Sequence, residues 1–142
     1  YIYERSERDM SFTLNLFAHT KQELSKIYEK LNRLTSMCYP EYAVDELLSS
    51  QIGNGIQKSR MKPPLIKFRM GEMFGSENNE VLGFIKSVSY TIPESSTWET
   101  DKGKRVPKQI QASLSYQILH NSVPRLKADD GTDFKFYGYT GD

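Results

Sequence analysis

Cysteine is nearly missing from this chain of 142 residues: Cys38 stands alone, which excludes an internal disulfide and any cysteine-built metal cluster. Histidine is scarce as well, and His19 and His120 fall short of the three or four suitably spaced ligands that zinc requires. No apolar run approaches the roughly 18 residues of a membrane span, and no signal-peptide pattern opens the chain. We therefore expect a soluble, intracellular protein without a membrane partner. A net charge of +1 argues against broad electrostatic capture of nucleic acid or anionic lipid. Apolar residues are few too, at 37% with a mean hydropathy of -0.61, so a domain of this size has little to bury and leans toward completing its stability in an assembly. The chain opens on Tyr1 rather than Met, which points to a trimmed chain or a piece of a longer one.

What is present is mostly alternation. Residues 8–18 place Phe12, Leu14 and Leu16 on one side of an extended chain and Ser11, Thr13 and Asn15 on the other. Thr20-Lys21-Gln22-Glu23 follows with the spacing of a capping box, in which the threonine hydroxyl accepts from the N3 amide and the glutamate reaches back to the cap amide. Leu24, Ile27, Tyr28, Leu31 and Leu34 then recur on one helical stripe, predicting a helix over 21–37 that Pro40 stops. Residues 41–64 read as a long loop or arm with a short helical turn around 44–48. Leu47, Leu48, Ile52 and Ile56 have no local core in view there, so they are expected to pack on something else.

The β signal returns at residue 65. Ile66, Phe68 and Met70 alternate with Lys67 and Arg69, and a turn at 75–79 precedes a strand over 81–92. Leu82, Phe84, Val88, Tyr90 and Ile92 would share one side of that strand, and Lys86 interrupts it, which predicts a bulge or a snorkelling stem. A polar hairpin leads into the strand at 106–120. Its apolar side is Ile110, Ala112, Leu114, Tyr116 and Ile118; its other side, Gln109, Gln111, Ser113, Ser115 and Gln117, carries no charge in a protein that is 26% charged. The tail after 125 holds a tight turn and an aromatic cluster, and would either add an edge strand or lead out of the domain. The order is strand, helix, long loop and then three strands with short connections, giving an α+β domain with mainly antiparallel pairing and no internal repeats.

No catalytic constellation emerges. The two histidines end elements, the usual setting of solvated histidine, and Cys38 closes a helix rather than opening one, which suits a structural thiol. Asp129-Asp130-Gly131-Thr132-Asp133 lacks the spread of ligands of a calcium loop and reads as an Asx turn. Glu94, Glu99 and Asp101 lie in a polar connection without catalytic spacing, and Gly53-Asn54-Gly55 lacks the third glycine and the preceding strand of a phosphate-binding loop. We expect a protein that is not an enzyme and holds no cofactor or metal.

The segments "MSFTLNLFAHTKQELSKIYEKLNRLTSMCYPEY", "KPPLIKFRMGEMF", "LGFIKSVSYTIPESSTWE" and "VPKQIQASLSYQILHNSVP", in this order, resemble the tail-tube-like domain of baseplate proteins of contractile-tailed bacteriophages, the tube initiators or baseplate tube proteins. The resemblance covers residues 8–124; residues 1–7 would be an N-terminal extension and 125–142 a C-terminal tail. It implies a β-barrel or sandwich flanked by one helix and joined into a ring, a hexamer by expectation, that starts or extends the tail tube through which DNA passes without specific binding. Partners would be further copies, tail-tube proteins and baseplate hub proteins, in a virion assembled in the host cytoplasm. Residues 51–62, within the arm, would be the loop that reaches a neighbouring subunit. The strands at 81–92 and 108–120 would form the tube wall, with Gln109, Gln111, Ser113, Ser115 and Gln117 on the lumen or a subunit seam. A hub or tail-terminator protein would share these signals. The competing expectation is a nucleic-acid-binding module using Lys102, Lys104 and Arg105, with Lys67 and Arg69.

Overall fold

A computed structural model describes residues 1–44 and 59–139. The elements are β1 (Asp9–Phe17), α1 (Lys21–Ser36), β2 (Glu41–Val44), β3 (Ser59–Lys62), β4 (Ile66–Phe68), β5 (Val81–Thr91) and β6 (Gln109–Ile118). Four strands form a curled, half-barrel antiparallel sheet in the order β1-β6-β5-β4, and β2 pairs with β3 in a separate ribbon. The fold is α+β, with the last strand in chain order, β6, held inside the sheet between β1 and β5.

The capping box opens α1 as its spacing requires: Glu23 N–H donates to Thr20 Oγ1 (3.2 Å), and the Glu23 carboxylate accepts from the amides of Thr20 (3.3 Å) and His19 (2.9 Å). These bonds hold the Glu23 carboxyl below its usual range. Leu24 and Leu31 are buried, and Leu34, Met37 and Cys38 pack against the cluster formed by Phe74, Ile85, Ala112, Leu114, Tyr116 and Ile118. The helix therefore covers the apolar side of β6, where every even-numbered residue is buried.

Two expectations change. The arm read as loop over 41–64 begins and ends as paired strands, with Glu41 opposite Lys62 and Val44 opposite Ser59, so the helical turn placed from residue 44 gives way to strand at that residue. The rest of that turn, Gly53-Asn54-Gly55, and the apolar residues Leu47, Leu48, Ile52 and Ile56 lie outside the described residues. In β5 the expected bulge is present: Ile85 opposes Tyr116 and Ser87 opposes Ser115, leaving Lys86 as the extra residue. The bulge reverses the alternation, so Leu82 and Phe84 do not share a side with Val88 and Tyr90. Phe84 opposes Gln117, while Ile85 and Gly83 turn to the core.

Tyr116 is the pivot of that core, 2% exposed, with its hydroxyl donating within reach of the carbonyls of Ile66 (3.0 Å) and Val81 (2.8 Å). Its ring lies across Gly83, where a Cβ would come within 2.8 Å of the ring and 2.1 Å of the Gln117 carbonyl oxygen. Burial pushes the Tyr116 hydroxyl up to about 12. A raised phenol contributes stability that is complete below its unfolded value near 10 and is lost as pH rises through the folded value. Tyr116→Phe should cost about 1–2 kcal/mol at neutral pH and flatten the loss of stability above pH 10, both read from denaturant unfolding across pH. An unchanged alkaline slope would show that Tyr116 does not carry it.

Candidate functional site

The side of the sheet away from the helix is assembled by register alone. Across β1, β6 and β5 the opposed residues run Ser11–Ser115–Ser87, Thr13–Ser113–Ser89 and Asn15–Gln111–Thr91, with Gln109 beside Phe17 at one end and Gln117 between Asp9 and Phe84 at the other. Thr13 and Ser113 are joined through their hydroxyls at 3.2 Å. The residues of β6 on this face are half-buried by their neighbours, while Ser11, Thr13, Asn15, Ser87, Ser89 and Thr91 are exposed. The five β6 residues singled out from sequence therefore share one face.

What sequence reading missed is the width of this face. The bulge at Lys86 brings Ser87, Ser89 and Thr91 into line with Ser115, Ser113 and Gln111. Both residues of a bulge can point to the same side, and Lys86 does so here: its Nζ meets Asp9 Oδ2 at 2.8 Å, on the residue that opposes Gln117. The pairing raises the Lys86 ammonium above its usual range. The ion pair closes one end of a field of hydroxyls and amides, and beyond it lie Leu82 and Phe84 with Lys67, which opposes Leu82.

The edge of the sheet follows from the same ladder. The Ala18 N–H donates to the Lys108 carbonyl (3.0 Å) and the Ile118 N–H to the Arg8 carbonyl (3.3 Å). Even-numbered residues of β1 therefore make the hydrogen-bonded pairs. The backbone groups of Asp9, Ser11, Thr13, Asn15 and Phe17 point away from β6. Among the described residues β1 has no strand on that side. It carries neither lysine nor proline, the usual guards of an open edge.

The basic residues of the competing reading are not brought together. Lys67 and Arg69 lie beside the start of β5, and the hairpin of Lys102, Lys104 and Arg105 follows its end, roughly 30 Å away at about 3.3 Å per residue. Arg69 is paired with Glu72 (2.8 Å). The hairpin holds acids of its own: Asp101 pairs with Lys21 (2.5 Å), and buried Glu99 accepts from the amides of Thr100 and Asp101.

The remaining candidates have structural settings. Burial pushes the Cys38 thiol up, and its Sγ lies 3.6 Å from the Leu34 carbonyl, the opposite of an activated nucleophile. Asp130 Oδ1 accepts from the amide (2.9 Å) and hydroxyl (2.6 Å) of Thr132, an Asx turn. Among the described residues no group of three or more potential ligands could hold a metal ion, and no helix is long and apolar enough to cross a membrane. The tail adds no strand among the described residues; it folds back, with Phe136 and Tyr137 against Arg8. Compared with known protein families, curated proteins and solved structures, the chain matches none.

Because the polar face is open and lysine stems reach solvent readily, the double substitution Ser113→Lys and Ser115→Lys should leave the isolated chain folded. We expect a loss within about 0.5 kcal/mol per site, a few degrees in Tm. A collapse of the thermal transition would show that the face is packed rather than presented.

Proposed function

We propose that this chain is a ring-forming structural subunit of a contractile phage tail, at the tube–baseplate junction, where it starts or extends the tail tube. The observation that carries the reading is β1: a nine-residue strand with no neighbour on its outer side among the described residues, and the same strand that contributes Ser11, Thr13 and Asn15 to the uncharged face. A second copy that adds its β4 side to this edge would extend both the sheet and the face from subunit to subunit, a heterologous contact that closes into a ring when the rotation allows. The uncharged face would then line the lumen or a seam, and DNA would pass it without specific capture. The role is structural rather than catalytic, with tail-tube and baseplate hub proteins as neighbours in the particle. The segment resemblance over 8–124 supports the same reading. The five cations of the nucleic-acid reading lie at two ends of the sheet, which leaves that reading without a single binding surface.

Sedimentation and negative-stain microscopy test the ring. The purified chain, alone or mixed with tube subunits, should give closed rings or capped tubes with a central channel; a chain that stays monomeric and never caps or nucleates tubes would sink the proposal. Thr13→Pro removes an N–H that serves only the open edge, so it should keep the monomer folded and abolish rings. The Ser113→Lys, Ser115→Lys variant should assemble poorly or hold DNA in a salt-dependent way. Normal rings from Thr13→Pro would exclude β1 as the joining edge.

A further inference from the structure

At one end of the sheet, the residues that precede β1, the 75–80 turn, the residues after β6 and the tail border a half-open cavity of about 270 Å³. Its wall includes Arg8, His120 and Lys135, with Glu80 as its acid among the described residues. The Arg8 guanidinium stacks on two tail rings, 5.1 Å from the centre of Phe136 and 5.8 Å from that of Tyr137. The rings accept no ordinary hydrogen bond, and Arg8 Nε is buried without a partner. That atom is sealed from solvent, so a ligand in the cavity would meet the terminal Nη groups of Arg8 instead. None of the ion pairs among the described residues includes Arg8, His120 or Lys135.

Two further observations converge on the same place. His120 is held at φ 64, a left-handed conformation that a non-glycine residue adopts at some cost and that clusters at functional sites. The tail is seated tightly: a Cβ on Gly138 would lie 2.1 Å from the Gly75 carbonyl oxygen, so the wall that carries Phe136 and Lys135 is pressed against the 75–80 turn. We propose that this cavity is a binding site for a tetrahedral oxyanion, a phosphate group, gripped by Arg8 and Lys135 with His120 as the third donor. Planar guanidinium forks match oxyanions, and the volume, just below the roughly 300 Å³ where small-molecule pockets begin, suits a small anion or one phosphate terminus. This inference is independent of the ring proposal.

Burial, and then the charge of Arg8, hold the His120 imidazole below its usual range, which favours the neutral ring near pH 7. A bound anion opposes Arg8 and favours the imidazolium. The charges facing His120 are Arg8 before β1, Lys135 in the tail and Glu80 before β5, and of these Glu80 opposes the anion. Binding therefore takes up a proton and tightens as pH falls.

The test is thermal and calorimetric titration of the full chain with inorganic phosphate, against sodium chloride of equal ionic strength. Sulfate serves as the probe for the pH series, because its own charge does not change between pH 6 and 8. We expect a saturable rise in Tm and sulfate binding that is tighter at pH 6 than at pH 8. Arg8→Gln should weaken binding by roughly tenfold or more, the loss of a charge-assisted hydrogen bond. Should Arg8→Gln loosen the tail, Lys135→Gln and His120→Asn, which retain the surface and the left-handed backbone, should each weaken binding, and His120→Asn should also abolish its pH dependence. Tighter binding of methyl phosphate than of inorganic phosphate would assign the site to an esterified group, and the reverse to the free ion. No rise beyond the chloride control, or undiminished binding in Lys135→Gln and His120→Asn, would overturn the proposal.

Discussion

The structure depends on β6 holding one register between β1 and β5. Its even-numbered residues are apolar and buried, and its odd-numbered residues are uncharged and half-exposed. A slip of one residue would send Tyr116 out and Ser115 in, exchanging the two faces along the whole strand. Tyr116 guards against this slip, because its hydroxyl is held between two carbonyls of β4 and β5 and its ring lies across Gly83, where a Cβ would collide with it. Packing on the helix side thus sets what the far side displays.

The bulge at Lys86 extends this logic. Were Lys86 paired in the ladder instead of bulged, the alternation that puts Gly83 and Ile85 inward would carry on to Ser87 and Ser89, and the serines would enter the core. With the bulge, Val88 returns inward and the serines join the hydroxyls of β1 and β6. The same residue supplies the cation that pairs with Asp9, so one inserted lysine both broadens the uncharged field and closes its end. That field is continuous with the open edge of β1, and an edge and a face that belong to the same strand extend together when another strand is added.

Much of this was legible in the sequence, for identifiable reasons. The helix start is local, written in Thr20 and Glu23, and the faces of β1 and β6 follow from a period of two that no insertion breaks. In β5, Lys86 marks the bulge, but periodicity alone does not say that parity reverses there, and it therefore groups Leu82 and Phe84 with Val88 and Tyr90. Nothing in the mixed polar and apolar composition of 41–64 marks the paired ends of the ribbon, whose partners lie 15 to 21 positions apart. The grouping of Arg8 with Phe136 and Tyr137 is invisible in sequence because it joins the two ends of the chain. The five β6 residues were found, but their partners on β1 and β5 belong to the site equally, and only register reveals them.

The absence of charge on the face bears on the proposed role through magnitude. A unit charge about 4 Å from a phosphate is worth about 1 kcal/mol in bulk water and about 4 kcal/mol at an effective dielectric of 20. In a ring, any such charge is multiplied by the number of copies and again by each layer of a tube. A lysine at the position of Ser113 would turn the proposed lumen into a binding site that holds DNA, and an aspartate would turn it into a barrier. At a seam, either charge would have to be desolvated against its own copy. Hydroxyls and amides avoid both outcomes, since they stay hydrated in a channel and pair with one another at a contact, as Thr13 and Ser113 already do within the chain. A face built for capture would concentrate cations; here they stand outside the field, at the Lys86–Asp9 pair, beside β4 and in the hairpin.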